Sequence, residues 1–201
     1  VVNLAAGLDA RPWRLPVPPS LRWIDVDLPG ILNHKTEILK DEKTKCRYEA
    51  VHLDLRDVAK RQALFAQINA ESSRVLVLSE GLLIYLPPDD VGTLARDLHA
   101  GSHFQWWVID IASPRLLEMM QKMWGKNLDA ERPFRFAPAE STKFFERFGW
   151  TELEFHSAME DARRLKREMN DVALALPWQT SVEEVRDQFQ RFSGIVLMER
   201  L

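Results

Sequence analysis

Cysteine is nearly absent from this sequence: Cys46 is the only one in 201 residues. A single thiol cannot close an intrachain disulfide, nor can it build a cysteine-rich zinc site. No apolar run approaches the roughly 20 residues that cross a bilayer as a helix. Basic residues are not in excess, since 27 Lys and Arg stand against 30 Asp and Glu for a formal charge of -3. That balance argues against a chain built to coat nucleic acid or an anionic membrane, both of which demand a cationic surface. His34, His52, His99, His103 and His156 are scattered without metal-ligand spacing, so no metal is expected. There is no initiator methionine and no basic stretch leading into an apolar signal segment. The chain opens inside an apolar run, Val1-Val2-Asn3-Leu4, and residues upstream of it are expected. Together these absences suit a reducing, cytoplasmic setting.

What is present is a globular composition, 46% apolar and 28% charged, long enough for one well-cored domain over 1–201. Short β-branched runs alternate with stretches of helical period. Val1–Leu4, Arg22–Val26, Arg47–Leu53, Arg74–Leu78 and Phe104–Ile111 read as strands, followed late in the chain by Thr151–His156 and Ile195–Glu199. Between them lie helical patterns. One follows Pro29-Gly30, and one starts at Asp57 with Leu64, Phe65 and Ile68 on a face. A third follows Pro87-Pro88 with Val91, Leu94, Ala95 and Leu98. A fourth runs from Ser113-Pro114 through Trp124 to a stop at Gly125. Glu140–Phe148 reads as a short helix ended by Gly149. Ser181 with Glu184 forms a capping box ahead of Val182, Val185 and Phe189. Such alternation predicts an α/β fold, a parallel sheet with helices on both faces. The stretch from Pro114 to Pro138 exceeds a plain crossover and could cap the carboxyl edge of the sheet, where open α/β sheets bind ligands.

The strand ends carry the chemistry. The first runs into Ala5-Ala6-Gly7-Leu8-Asp9-Ala10-Arg11, whose small residues let a nucleotide-like ligand approach the backbone. Asp27 lies 20 positions after Gly7, the spacing at which an acidic side chain reaches a ribose hydroxyl. Asp25 shares its side of an ideal strand; either could serve, leaving the other as a solvated carboxylate or a cap. Asp54 ends the third strand, placed to accept from a purine amino group or to cap the next helix. Glu80 follows five residues of buried strand, a costly place for an unpartnered charge, with Gly81 leaving room beside it.

Four blocks then match in order a known pattern. They are Val2 to Arg11, Trp23 to Pro29 with Lys35, Asp54-Leu55-Arg56, and Glu80-Gly81-Leu82-Leu83-Ile84-Tyr85-Leu86, with a weaker fifth from Phe144 to Trp150. The chain resembles the leucine carboxyl methyltransferase family and its bacterial relatives, the S-adenosylmethionine-dependent O-methyltransferases. The resemblance implies a Rossmann-like class I methyltransferase fold, a seven-stranded, mostly parallel sheet with an antiparallel last strand. It implies S-adenosyl-L-methionine as cofactor. Ala5 and Gly7 would approach its methionine part, Asp27 its ribose, Asp54 and Leu55 its adenine, and Glu80 would face it. The family usually has glycine where this chain has Ala5, and it holds the cofactor carboxylate partly from a basic N-terminal segment that does not occur in this sequence.

Methyl transfer asks mostly for alignment and exclusion of water. The expected acceptor is a carboxylate or hydroxyl on a small metabolite or a peptide C-terminus. Tyr85 could line the transfer site, while Arg115, Arg132 and Arg135 in the cap segment could bind an acidic acceptor. No catalytic residue, nucleic-acid partner or membrane partner is identified, and the oligomeric state stays open. Met119, Met120 and Met123 read as packing, and Arg163 to Arg167 as a solvated helix face. Two other classes stay open: an NAD(P)-dependent oxidoreductase, and a catalytically silent binding domain.

Overall fold

Residues 1–124, 133–167 and 190–201 are described by the computed structural model. They form β1 (Val2–Leu4), α1 (Arg11–Arg14), β2 (Arg22–Asp27), α2 (Pro29–Ile38), β3 (Arg47–His52), α3 (Val58–Glu71) and β4 (Val75–Ser79). There follow α4 (Pro88–Ala100), β5 (Phe104–Ala112), α5 (Pro114–Trp124), β6 (Trp150–Ser157), α6 (Ala158–Arg164) and β7 (Ser193–Arg200). The expected Gly125 stop, Arg132, and the box of Ser181 and Glu184 with Val182, Val185 and Phe189 lie outside the described residues.

The strands make one sheet in the order β3-β2-β1-β4-β5-β7-β6. The first five are parallel to one another. β7 runs antiparallel between β5 and β6. The chain winds outward from β1 through β2 to β3, then crosses back to β4. The strand order reverses between β1 and β4, and ligands of open α/β sheets bind in the crevice at such a switch point.

Alternation along the strands feeds two cores. Leu4, Val26, Val77 and Ile109 pack with Phe65 and Ile68 of α3 and with Leu94 and Leu98 of α4. Trp23 and Leu78 point to the opposite face, with half-buried Tyr48 and Val108. There α2 is pinned by its buried Lys35, which reaches Asp25, so helices cover both faces. Local signals set the starts. Asp57 accepts the Lys60 N–H at the head of α3, and the Ser113 hydroxyl accepts that of Leu116 at the head of α5. Proline opens α1, α2 and α4.

The short helix expected at Glu140–Phe148 is a 3-10 helix over Ser141–Phe148, and Gly149 ends it as expected, in the left-handed conformation at φ 84. A three-residue period stacks Thr142, Phe145 and Phe148 along one line, which suits the burial of Thr142 and Phe145. Met123 is exposed rather than packed, whereas Met119 meets buried Phe192. The described end of the suspected cap lies across a 3-10 turn at Leu83–Tyr85, where the Arg135 and Phe136 N–H groups donate to the Ile84 carbonyl at 2.7 and 3.2 Å. The basic run of Arg163 to Arg167 is exposed, as a solvated face requires.

Candidate cofactor site

β1 is three residues long and wholly buried, so its last residue delivers the chain to the sheet edge with little freedom. The turn that follows is tight. Ala5 has φ +53 and Gly7 φ +51, both left-handed. Gly7 is suited to that conformation. Ala5 is not, because its Cβ crowds the following carbonyl at a cost of about 1–2 kcal/mol. Its position is the one where the family pattern has glycine.

Asp27, at the end of β2, ties this turn down. One carboxylate oxygen accepts the Gly7 N–H and the other the Leu28 N–H, each at 2.7 Å. A carboxylate has about four acceptor sites, so capacity remains for a further donor. Past β3, Asp54 accepts the Arg56 N–H at 2.9 Å and its guanidinium at 2.6 to 3.0 Å. Those side-chain bonds hold the Asp54 carboxyl below its ordinary range. It does not cap α3; Asp57 does.

Between these turns and α4 lies a cavity of about 750 Å³, within the size range of small-molecule sites. Its wall brings together Ala5, Asp27, Asp54 and Leu55 from three different strand ends, with Tyr85 and Arg135 also lining it. Leu28, Leu53 and Val58 supply apolar surface beside the two carboxylates. Gly7 and Glu80 stand outside this wall, Gly7 bonded to Asp27 and Glu80 paired with Arg11. Arg115, on the first turn of α5, is also outside it.

Two side chains take places that the sequence did not foretell. Asp25 is neither solvated nor a cap: it is fully buried and bonded to Lys35, Tyr48, Trp23 and Asn3. Glu80 is exposed rather than buried, because β4 ends one residue earlier. Ser79 turns inward there, accepting from Trp107 Nε1 at 2.7 Å, and Glu80 turns out into a bend completed by Gly81 at φ +65. Tyr85 sits in the 3-10 turn after β4.

Sequence inspection missed other residues. Arg61 of α3 lines the cavity, donates to the Leu55 carbonyl at 2.6 Å and forms a buried ion pair with Asp97 of α4. Asp110 of β5 accepts the Gly81 N–H at 2.8 Å, and burial pushes its carboxyl above the ordinary range. Arg61 sits in an amphipathic helix among other polar residues, and Asp110 in an apolar strand. A lone charge in such a strand was the one available signal.

The fold and this edge site define a class: the order β3-β2-β1-β4-β5-β7-β6 with reversed β7 is the Rossmann-like sheet of class I methyltransferases. Solved structures agree on the fold. A DUF574 family protein of Streptomyces avermitilis superposes with a TM-score of 0.62 at 15% identity, covering 100% of this chain and 74% of that one. Magnesium protoporphyrin IX methyltransferase from Synechocystis, solved with bound SAH, gives a TM-score of 0.54 at 12% identity, covering 100% and 73%.

Sequence comparison narrows the class. The family model for leucine carboxyl methyltransferase matches residues 1–99, just under half of the chain. A Mycolicibacterium smegmatis protein named "Putative S-adenosyl-L-methionine-dependent methyltransferase" is 39% identical over 103 residues, 49% of this chain and 33% of that protein. A Mycobacterium tuberculosis protein of the same name is 40% identical over 92 residues, 44% and 30%. The matching stretch thus spans about a third of the length of these relatives.

Proposed function

We propose that the chain is the catalytic fold of an S-adenosyl-L-methionine-dependent methyltransferase, and that its acceptor is an oxygen nucleophile, a carboxylate or a hydroxyl. The observation that supports this most is the joint wall formed by Ala5, Asp27, Asp54 and Leu55 around one cavity. Those residue types fit the cofactor. Asp27 retains acceptor capacity for ribose hydroxyls, Asp54 shares the wall with its carboxylate held by Arg56, and Leu28, Leu53, Leu55 and Val58 present apolar surface to a purine face. When bound, the cofactor would supply a methyl group already activated by its sulfonium.

The protein's own task is placement. Asp27 links the first and second turns, so the ribose subsite and the left-handed turn at Ala5 and Gly7 hold one geometry. Tyr85, which also lines the cavity, rests against Phe134 with ring centroids 5.5 Å apart. The Arg135 backbone is held to Ile84, which leaves the acceptor side a phenol and a guanidinium. Arg135 suits an anionic acceptor. A carboxylate is ionised at neutral pH and requires no general base, whereas an alcohol would require one. Arg115, outside the cavity wall, is a weaker candidate for acceptor binding than Arg135.

Calorimetric titration with S-adenosylhomocysteine, beside NAD, tests this proposal. Micromolar binding of the first and none of the second is the expected result. Binding of NAD alone would make the chain an oxidoreductase, and binding of neither would favour a silent fold.

A further inference from the structure

The motif residue Lys35 plays no part in the site as described, yet it is among the most deeply buried side chains in the molecule, 1% exposed against 0% for its partner Asp25. Its ammonium lies 2.5 Å from Asp25 Oδ2 and over the rings of Trp13 and Tyr48, at 5.5 and 5.9 Å from their centroids. Asp25 also accepts from Trp23 Nε1 and Tyr48 Oη, both at 2.9 Å, and from Asn3 Nδ2 at 3.1 Å. Four donors saturate it. Burying such a pair seldom adds stability over apolar residues of the same volume.

The contacts continue toward the cofactor edge. The Asn3 amide that reaches Asp25 also donates to Asp9 Oδ2 at 2.9 Å. Asp9 in turn accepts the Arg11 N–H at 2.9 Å and its Nε at 2.7 Å. The far end of the Arg11 guanidinium pairs with Glu80. One unbroken chain of polar contacts therefore runs from α2, beneath the turn carrying Ala5 and Gly7, to the tip of β4. The Leu55 side is held separately: Arg61 donates to the Leu55 carbonyl and pairs with Asp97.

We propose, resting on the cofactor assignment above, that the buried Lys35–Asp25 pair positions, through Asn3, Asp9 and Arg11, the turn carrying Ala5, which lines the cavity and which the resemblance gives to the methionine part of the cofactor. Lys35 and Asp25 are positioning residues that touch no ligand. A network of this kind passes on its effect only where it is mechanically connected, and mutations along it shift coupling modestly. Its loss should therefore be felt by a ligand with an amino-acid end and not by one without.

Two probes separate these cases. S-adenosylhomocysteine carries the amino-acid end; 5′-methylthioadenosine has the nucleoside and thioether alone. Both are titrated calorimetrically into the unaltered chain and into Lys35→Met, with thermal melting to establish folding. In the variant, affinity for S-adenosylhomocysteine should fall about tenfold while that for methylthioadenosine changes less than about twofold. Equal losses for both ligands in a folded variant would reduce the pair to a structural role and overturn the proposal, as would an unchanged affinity for S-adenosylhomocysteine. If Lys35→Met does not fold, Arg11→Met takes its place, because it cuts the same chain at its partly exposed end; the same split is expected and the same outcomes overturn it. Should the unaltered chain bind neither nucleoside, the cofactor assignment falls and the proposal with it. Binding of both by the unaltered chain, without the split in the variants, overturns the proposal alone.

Discussion

The two halves of the sheet are built differently. On the β3-β2-β1-β4 side, charged and amide groups are buried: Asn3, Asp25, Lys35 and Arg61 are all inaccessible or nearly so. On the β5-β7-β6 side the strands are eight or nine residues long and joined antiparallel. Their core is aromatic, with Trp107 meeting Phe145 and Trp150 at centroid distances of 5.4 and 5.7 Å. The first half uses directional contacts, which fix where atoms stand but add little net stability. The second uses non-directional burial, which stabilises strongly and tolerates imprecision. A site needs the former, and a fold that carries strained turns needs the latter.

If that division holds, the largest stability loss should come from the aromatic side. Trp150 is fully buried, with Nε1 donating to the Ala95 carbonyl at 3.0 Å. Trp150→Ala should cost about 3–5 kcal/mol, read as a fall in the midpoint of urea or thermal unfolding. A loss no greater than that of an average surface substitution would break the comparison.

The site side should answer in affinity instead. Asp27→Ala should weaken S-adenosylhomocysteine binding by roughly 1–3 kcal/mol, the scale of a charge-assisted hydrogen bond, measured by calorimetry. Unchanged affinity in a folded variant would remove Asp27 from the ribose role. Its bonds to the Gly7 and Leu28 N–H groups mean that some stability goes with it.

The strained turn gives a change in the opposite direction. Ala5→Gly should raise stability by about 1 kcal/mol, because glycine occupies φ +53 without the Cβ penalty. For a chain of this length that is a rise of roughly 2–4 °C in Tm. A lower Tm would show that the alanine methyl is needed where it is.

The smallest effect concerns pH. Burial, then the nearby Arg200 charge, holds the His99 imidazole below its ordinary pKa. Its Nε2 is buried without a hydrogen-bond partner in the described structure and lies against Gly149. The unfolded chain therefore takes up a proton more readily than the folded one. This stability is intact above the unfolded value of about 6.5 and falls as pH drops from there through the lower folded value. Thermal melts of His99→Gln should show a shallower decline below about pH 6.5 than the unaltered chain; an identical slope would assign the acid sensitivity elsewhere.

Much of this architecture is legible in the sequence because it rests on local or periodic signals. Arg-Val-Leu-Val-Leu at 74–78 is a buried parallel strand by composition alone, and β4 spans Val75–Ser79. Asp57 and Gly149 declare a start and a stop, and both act as such. The spacing from Gly7 to Asp27 marks a pair that the structure joins by a 2.7 Å hydrogen bond. The 3-10 winding of the short helix at Ser141–Phe148 was not legible, since its tighter turn answers to packing rather than to local propensity.

Asp25 and Asp27 show where local signals stop. They are two residues apart on one side of one strand, with the same chemistry, and sequence leaves either free to bind a ribose. In the fold one is sealed among four donors and the other faces the cavity. The same holds for Glu80, whose partner Arg11 is 69 positions away, and for Arg61 and Asp97, 36 apart. Sequence by itself determined the alternation of strands and helices, the turns at the strand ends and the match of residues 1–99 to the leucine carboxyl methyltransferase model, because periodicity, capping and motif spacing act over a few residues to some twenty. Tertiary structure alone decided which carboxylates are buried, which are paired and which line the cavity, because burial and ion pairing depend on distances between chain segments that no local pattern records.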